Sequence, residues 1–523
     1  MIDELRHECG VAALYWLGRS AAAAGPASRA VSDGDVTPLM PPMLLDLQNR
    51  GQLAAGLSSY NPSRPHLLMT FRDVGTVIEA FRMSQPAKHA SIMREYAGRA
   101  AIGHTRYATC GADDVRYAQP FERFHGRLWK WFSFAFNGNL ANYSQLRQRL
   151  LSRGSYHFTL NTDTEIIQHM LAYKLRGDST GGLKNVMSWL RRNFDGAYNI
   201  AFLDAMGRMF IARDPLGFRP MSWAVQGRLF AAASESVALS NMGFTDVRPL
   251  QPGQMIIIED GRLRLERFAP VGPKARCFFE WIYFSNVASV IDGAGVYQAR
   301  SRLGRRLAEL EDQKMDSRCV VVPVPDTAKG SADAFAYHMG IPCVEGLIRN
   351  RYIGRTFIQP NATRIASARS KYTPLPAVLK GKRVFLIEDS IVRAVTLAAL
   401  AGLVMRRGGA AELHVRVACP PITTPCFYGI DMTTINELFA PRHIKKPYPA
   451  RLPAGTAERM ARELGVTSLR YLGVDDLAGC IGADVNGLCE GCVSGKYPTC
   501  WGNRLYRRAV RGARSGKTGR TYE

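Results

Sequence analysis

Arg-Val-Phe-Leu-Ile-Glu-Asp-Ser-Ile-Val-Arg-Ala-Val-Thr occupies residues 383–396. Positions 384–387 are a short β-rich apolar run of the kind that forms a buried parallel strand. The run ends at two adjacent carboxylates, Glu388 and Asp389, and residues 397–405 then have the length and composition of a helix. A strand that stops at an acidic pair, followed by a loop and a helix start, makes a ligand site at the carboxyl end of an α/β sheet. Backbone N–H groups at the helix start suit a phosphate. The carboxylates suit a ribose diol, or a Mg²⁺ ion held through the substrate. An ordinary strand end with solvated acids is the plain alternative.

The neighbouring sequence continues this pattern. Strands are expected at 320–325 and 413–418 and a helix at 331–339, the strand–helix alternation of an α/β domain. The first half has short apolar runs divided by turns, with strands expected at 99–102, 197–203 and 255–258 and helices at 164–175 and 183–194. That alternation fits a sheet sandwich flanked by helices. Residues 22–42, rich in Ala, Ser, Gly and Pro, read as an inserted loop. A domain boundary is expected near 270–276.

A chain of 523 residues exceeds one ordinary domain, so two are expected. It has no stretch of about 18 uncharged apolar residues, which excludes a spanning helix on sequence grounds. The charged start, Met-Ile-Asp-Glu-Leu-Arg-His-Glu, is unlike a secretory signal, and a cytoplasmic location is expected. Eleven irregularly spaced cysteines do not make a disulfide scaffold and point to catalysis or a metal. The net charge of +24 favours phosphorylated substrates. Its densest part, Arg504 to Arg520, reads as a disordered basic tail over 501–523. A polyanion-binding protein using that tail is the reading from another class, and no nucleic-acid partner is expected on the first reading.

Several motifs add chemistry. Cys9-Gly10-Val11 precedes an apolar run; a cysteine at a mature N-terminus is a nucleophile with its own amine as base. Arg106, in Gly-His-Thr-Arg-Tyr-Ala-Thr, suits a carboxylate. Asn137-Gly138 offers an amide side chain and a backbone N–H for an oxyanion. Asp163 suits an α-ammonium, with capping of the following helix as its plain alternative. Cys489-Glu-Gly-Cys492 alone fits a zinc half-site or a redox pair.

Together these segments resemble the glutamine phosphoribosylpyrophosphate amidotransferases, over nearly the whole length from Cys9 to about Thr499. In that family the loop at 388–396 runs Asp-Asp-Ser-Ile-Val-Arg-Gly-Thr-Thr and binds phosphoribosyl pyrophosphate (PRPP). Here Glu388 replaces the first Asp, Ala394 the Gly and Val395 the first Thr, which weakens the loop by a hydroxyl and a close backbone approach. Arg50-Gly51-Gln52, Arg213-Asp214-Pro215 and Ser234-Glu235-Ser236 also match family segments, while Phe136 stands where the family usually has His.

The resemblance implies an α/β and α+β protein of two domains: an N-terminal-nucleophile (αββα) glutaminase over 9–270 and a type I phosphoribosyltransferase parallel α/β domain over 271–500. Residues 1–8 would be a propeptide. Cys9 is then the nucleophile, Asn137 and Gly138 the oxyanion hole, and Arg106 and Asp163 the glutamine-binding pair. Asp326, Thr327, Arg349, Lys371, Glu388, Asp389, Ser390, Arg393 and Thr396 would bind PRPP with Mg²⁺. Arg364 and Arg369 keep the basic spacing of the family's flexible loop. Cys277, Cys426, Cys489 and Cys492 fall where the iron–sulfur branch holds a [4Fe–4S] cluster, with four-thiolate zinc as the chemical alternative. The other six cysteines read as packing residues. The implied reaction hydrolyses glutamine and passes ammonia to C1 of PRPP, a glycosyl transfer that starts purine synthesis. A diverged paralogue with a different ammonia acceptor is the second reading. A homo-oligomer, dimer or tetramer, is expected.

Overall fold

The structure is a computed structural model that describes residues 9–18, 25–29, 31–107, 114–177, 182–350, 371–430, 432, 434–444 and 452–515. The expected propeptide, Cys110, Arg364, Arg369 and the segment around them lie outside the described residues.

Two antiparallel sheets form the first half. One has seven strands in the spatial order Arg248–Pro249, Ser222–Gln226, Leu229–Ala233, Gly10–Trp16, Ala100–Arg106, Ala54–Tyr60 and Leu68–Val74. The other has six, in the order Arg262–Arg267, Gln254–Glu259, Met209–Arg213, Gly196–Asp204, Phe132–Leu140 and Phe121–Arg123. Alternation along the strands explains the layering. From Gly10–Trp16, Val11, Ala13 and Tyr15 turn inward onto Ala201, Leu203 and Ile256 of the facing sheet. Ala12 and Leu14 turn outward onto Met40, Leu44 and Leu239 of the covering helices. On the far side, Phe134, Phe202 and Phe210 meet Ile166, Leu171 and Leu190 of the helices Asp163–Lys174 and Leu183–Arg191. The order is helix, sheet, sheet, helix.

The inserted loop expected over 22–42 is partly helical. Thr37–Leu39 and Met40–Asp46 are helical turns with prolines in their first positions, where proline costs no hydrogen bond. The composition that suggests a loop includes prolines that here open a helix burying Met40, Met43 and Leu44.

The second half carries a four-stranded parallel sheet in the order Cys319–Pro323, Arg383–Glu388, Glu412–Val417 and Ser468–Tyr471. Val384, Phe385, Leu386 and Ile387 are all fully buried, as a continuous apolar run in a covered parallel strand requires. Beyond Arg267, the last strand of the sandwich, Arg276–Cys277 pairs with Leu488–Cys489 instead. One apolar core then runs across both halves: Phe218 of the first stacks on Tyr428 of the second at 4.2 Å between ring centroids.

The disordered tail expected over 501–523 needs correction. Cys500–Arg514 is a helix, capped by the Thr499 hydroxyl accepting from Gly502 N at 3.1 Å. Gly502, Leu505 and Ala509 are its buried stripe, and Trp501 N donates to Asp195 of the first half at 3.1 Å. The charge density masked an apolar spacing of three and four residues. Residues 516–523 lie outside the described residues.

Candidate functional site

Cys9 sits at the entry to Gly10–Trp16, whose register sets Gly10 opposite Thr105. Gly10 N donates to Thr105 Oγ1 at 3.2 Å and Val11 N to Ser234 Oγ at 3.0 Å, which fixes the backbone behind the thiol. Burial pushes the Cys9 thiol above its usual range, opposed by Arg106 and reinforced by Asp163, so all three share one electrostatic environment. Asn137 Nδ2 donates to the same Ser234 hydroxyl at 3.4 Å. A side chain at Gly138 would put its Cβ 2.0 Å from the Ala197 carbonyl oxygen, so this strand admits only glycine there.

Asp163 is the first residue of its helix, but Thr162 is the cap, accepting from Glu165 N. The Asp163 carboxylate also accepts backbone hydrogen bonds at the helix start, from Thr164 and from its own N–H. It accepts another from Leu140 N at 3.2 Å, and burial raises it to about 6. Phe136 contributes through its backbone: its carbonyl accepts from His104 Nε2 at 3.2 Å and its N–H donates to Gln119 Oε1 at 2.7 Å.

The second site is a cavity of about 460 Å³ at the carboxyl end of Cys319–Pro323 and Arg383–Glu388. Asp326, Thr327 and Arg349 line one side. Glu388, Asp389, Ser390, Arg393 and Thr396 line another. Lys371 does not line it; its neighbour Tyr372 does. Burial lowers Lys371 to about 8. Ala394 and Val395 also stay out of the lining, so the two replacements noted in the sequence leave the cavity wall as described unchanged. Ser390 Oγ donates to Asp389 at 2.6 Å, and Thr327 donates to its other oxygen. Burial raises both carboxyls, and the Asp389 charge raises Glu388 further. Arg349 pairs with Asp326 at 2.9 Å and Arg393 with Glu437 at 3.2 Å.

Four cysteines from three distant segments converge beside the first site. Cys277 and Cys489 are partners in a short parallel ladder. Tyr428 N donates to Cys426 Sγ at 3.4 Å, while Thr423 N and Thr424 N donate to the Cys492 carbonyl at 2.9 and 3.0 Å. Burial raises Cys489 and Cys492 well above the usual thiol range, and the neighbouring cysteines add to it. Of the other cysteines, Cys319, Cys419 and Cys480 are buried, but Cys343 and Cys500 are exposed and are not packing residues.

The sequence marks the segments of Arg50 and Glu235 as matches to the family but does not reveal the network they form between these sites. Arg50, with 1% of its side chain exposed, pairs with Glu235 and Glu280, each at 2.7 Å. Burial opposes its charge, but the two carboxylates raise the guanidinium above its ordinary range. Arg219 reaches Glu280 at 3.4 Å and the Tyr428 carbonyl at 2.6 Å. Asn49, Ser285, Asn286 and Arg300 line the phosphoribosyl-side cavity, although none belongs to a recognised motif. One signal was present: Glu280 is an acid inside the apolar run Cys-Phe-Phe-Glu-Trp-Ile, and a buried acid needs partners.

A helix–sheet–sheet–helix glutaminase half joined to a parallel α/β half defines the two-domain glutamine amidotransferases. The sequence pattern of the glutamine amidotransferase domain matches residues 86–269. The amidophosphoribosyltransferase of Methanothermobacter thermautotrophicus is 36% identical over 501 residues, which cover 95% of this chain and 96% of that protein. That of Bacillus subtilis is 37% identical over 461 residues, covering 87% and 90%. The solved structure of the B. subtilis glutamine PRPP amidotransferase complexed with ADP and GMP superposes with a TM-score of 0.78 at 34% identity, covering 94% of this chain and 97% of that one. The chain belongs to the amidophosphoribosyltransferase family.

Proposed function

We propose that this protein hydrolyses glutamine and transfers the ammonia to C1 of PRPP, giving 5-phosphoribosylamine, glutamate and pyrophosphate. The observation that carries this reading is that one chain holds the Cys9 site and a cavity lined by both halves of the predicted PRPP set, with family membership in support.

With residues 1–8 removed, the α-amine of Cys9 takes the thiol proton as the sulfur attacks the glutamine amide carbon and returns it to the departing ammonia. Asn137 Nδ2 and Gly138 N–H stabilise the oxyanion. Arg106 and Asp163 hold the carboxylate and ammonium of the amino acid. Ammonia leaves, and water hydrolyses the thioester to glutamate. At the second cavity ammonia displaces pyrophosphate from C1, and Arg349 and Arg393 face the departing charge. Two adjacent buried carboxyls held above their usual range suit a divalent cation, and Glu388 and Asp389 would hold Mg²⁺ with substrate oxygens completing its shell. Mg²⁺ there supplies charge neutralisation on the pyrophosphate.

The four thiols fit an iron–sulfur cluster. Cys277, Cys489 and Cys492 each feel the charge of others of the four, although among the described residues no three His, Cys, Asp or Glu side chains form a group that could hold a metal ion. When bound, the cluster would cross-link the segments carrying Cys277, Cys426, Cys489 and Cys492. Among the described residues no helix is long and apolar enough to cross a membrane, and cytoplasmic residence fits four thiols kept reduced.

PRPP-dependent release of glutamate and pyrophosphate from anaerobically purified protein tests the reaction; glutamate release with no PRPP consumed would favour another acceptor. The same sample should contain iron and sulfide and lose both in Cys489→Ser. Stoichiometric zinc without sulfide would replace the cluster assignment.

A further inference from the structure

Glu235 joins the two sites physically. It follows Ser234, whose hydroxyl accepts from Val11 N behind the nucleophile and from the oxyanion amide of Asn137. Its own carboxylate is fully buried, at 0% exposure, and accepts four hydrogen bonds of 2.7 Å. Asn49 Nδ2 and Arg50 Nε donate to one oxygen, Asn286 N and Ser289 Oγ to the other. Asn49 and Asn286 line the phosphoribosyl cavity. Two consecutive residues thus span from the oxyanion hole to the wall of the other site.

A second carboxylate stiffens the same wall. Glu280 accepts from Arg50 Nη2 and from Ser285 Oγ, both at 2.7 Å, and Ser285 also lines the cavity. A buried carboxylate that loses a donor is left with uncompensated charge, so its partners move together or the network breaks. Any ligand that shifts residues 284–287 therefore pulls on Glu235. The adjoining Ser234 carries that shift to the Asn137 amide, whose direction decides how well an oxyanion is stabilised.

We propose that Glu235 is a positioning residue shared by both sites, through which a sugar diphosphate in the cavity sets the rate of glutamine hydrolysis. The inference rests on the reaction proposed above. In Glu235→Gln an amide NH₂ replaces one oxygen and faces only donors, so the network must rearrange.

The test measures glutamine hydrolysis by the purified full-length chain with and without PRPP and Mg²⁺, and ammonia-dependent synthesis in parallel. The ratio of stimulated to unstimulated hydrolysis should fall about tenfold or more in Glu235→Gln, while the PRPP KM with ammonia stays within about threefold of wild type. A milder variant, Ser289→Ala, removes one of the four donors and should lower the ratio roughly twofold with unstimulated hydrolysis unchanged. Wild-type hydrolysis that ignores PRPP while both half-reactions proceed overturns this inference and leaves the reaction standing. So does a ratio unchanged in both variants, or a parallel fall of both half-reactions in both. Absence of any PRPP-dependent product, even from ammonia, overturns the proposed reaction and this inference with it.

Discussion

The glutamine site and the phosphoribosyl cavity solve opposite problems. Around Cys9, the groups proposed to do chemistry hang on paired strands: Gly10 faces Thr105 across one ladder, and Asn137 and Gly138 face Asn199 and Tyr198 across another. Their backbone is already committed to the sheet, so little reorganisation is left for the reaction. The other cavity is assembled from strand ends and loops. Its two carboxyls are held above their normal range, and its cations Arg349 and Arg393 rest on Asp326 and Glu437. Such a site exchanges internal ion pairs for the ligand's charges when it binds. A nucleophile demands placement, whereas a polyanion demands charge that can be released.

The strongest way to separate the two regions is at the nucleophile. Cys9→Ser should reduce glutamine-dependent synthesis by about a thousandfold or more, because an alkoxide forms far less readily than a thiolate. Ammonia-dependent synthesis should survive, as measured by pyrophosphate release at high ammonium. Loss of both activities would mean that the two regions are not separable.

The converse change, Asp389→Asn, should cut synthesis from either nitrogen source by about a hundredfold, the scale of removing one charge from a preorganised electrostatic site. Unstimulated glutamine hydrolysis should persist. Retained synthesis would remove Asp389 from the PRPP site.

A pH profile probes the glutamine side more gently. Burial raises Asp163 to about 6, so its negative charge is present above that pH and lost as the pH falls through it. The KM for glutamine should therefore climb about tenfold per pH unit below 6, since only the ionised form pairs with an ammonium. Asp163→Asn should flatten the profile at a high KM. A profile unaffected by that substitution would assign the ammonium to another group.

The smallest effect is expected at the altered loop. Ala394→Gly with Val395→Thr should lower the PRPP KM by roughly two- to tenfold, the equivalent of one net hydrogen bond. Neither side chain lines the cavity, which keeps the expected gain at the low end. Calorimetry with PRPP and Mg²⁺ on both proteins measures it; binding that appears only after restoration would favour a different native acceptor.

How much of this was readable from the chain depends on the range of the interaction. The strand at 384–387 with the acidic pair at its end, and Asp163 at the start of a helix, lie where the sequence placed them, whereas Asn137 and Gly138 lie inside Phe132–Leu140, a strand that was not expected. The helix Cys500–Arg514 was misread because arginine density outweighed its cap and its buried stripe, both of which are written in the sequence. Lys371 was assigned by a resemblance of spacing, and the fold sets its neighbour Tyr372 against the cavity instead.

By itself, the sequence marked the glutaminase motifs and the acidic pair of the phosphoribosyl half, and through its resemblance it implied the two fold classes that the structure bears out. The motifs are local patterns of spacing and side-chain chemistry, whereas the fold classes and the roles proposed for these residues come from the family resemblance. Tertiary structure alone decided that Asn49, Arg50, Asn286 and Ser289 would converge on Glu235. A buried carboxylate takes whichever donors folding delivers, and here Arg50 and Glu235 lie 185 positions apart in the chain. Separation on that scale leaves no local trace, because the desolvation that makes the contact matter exists only once the core has closed.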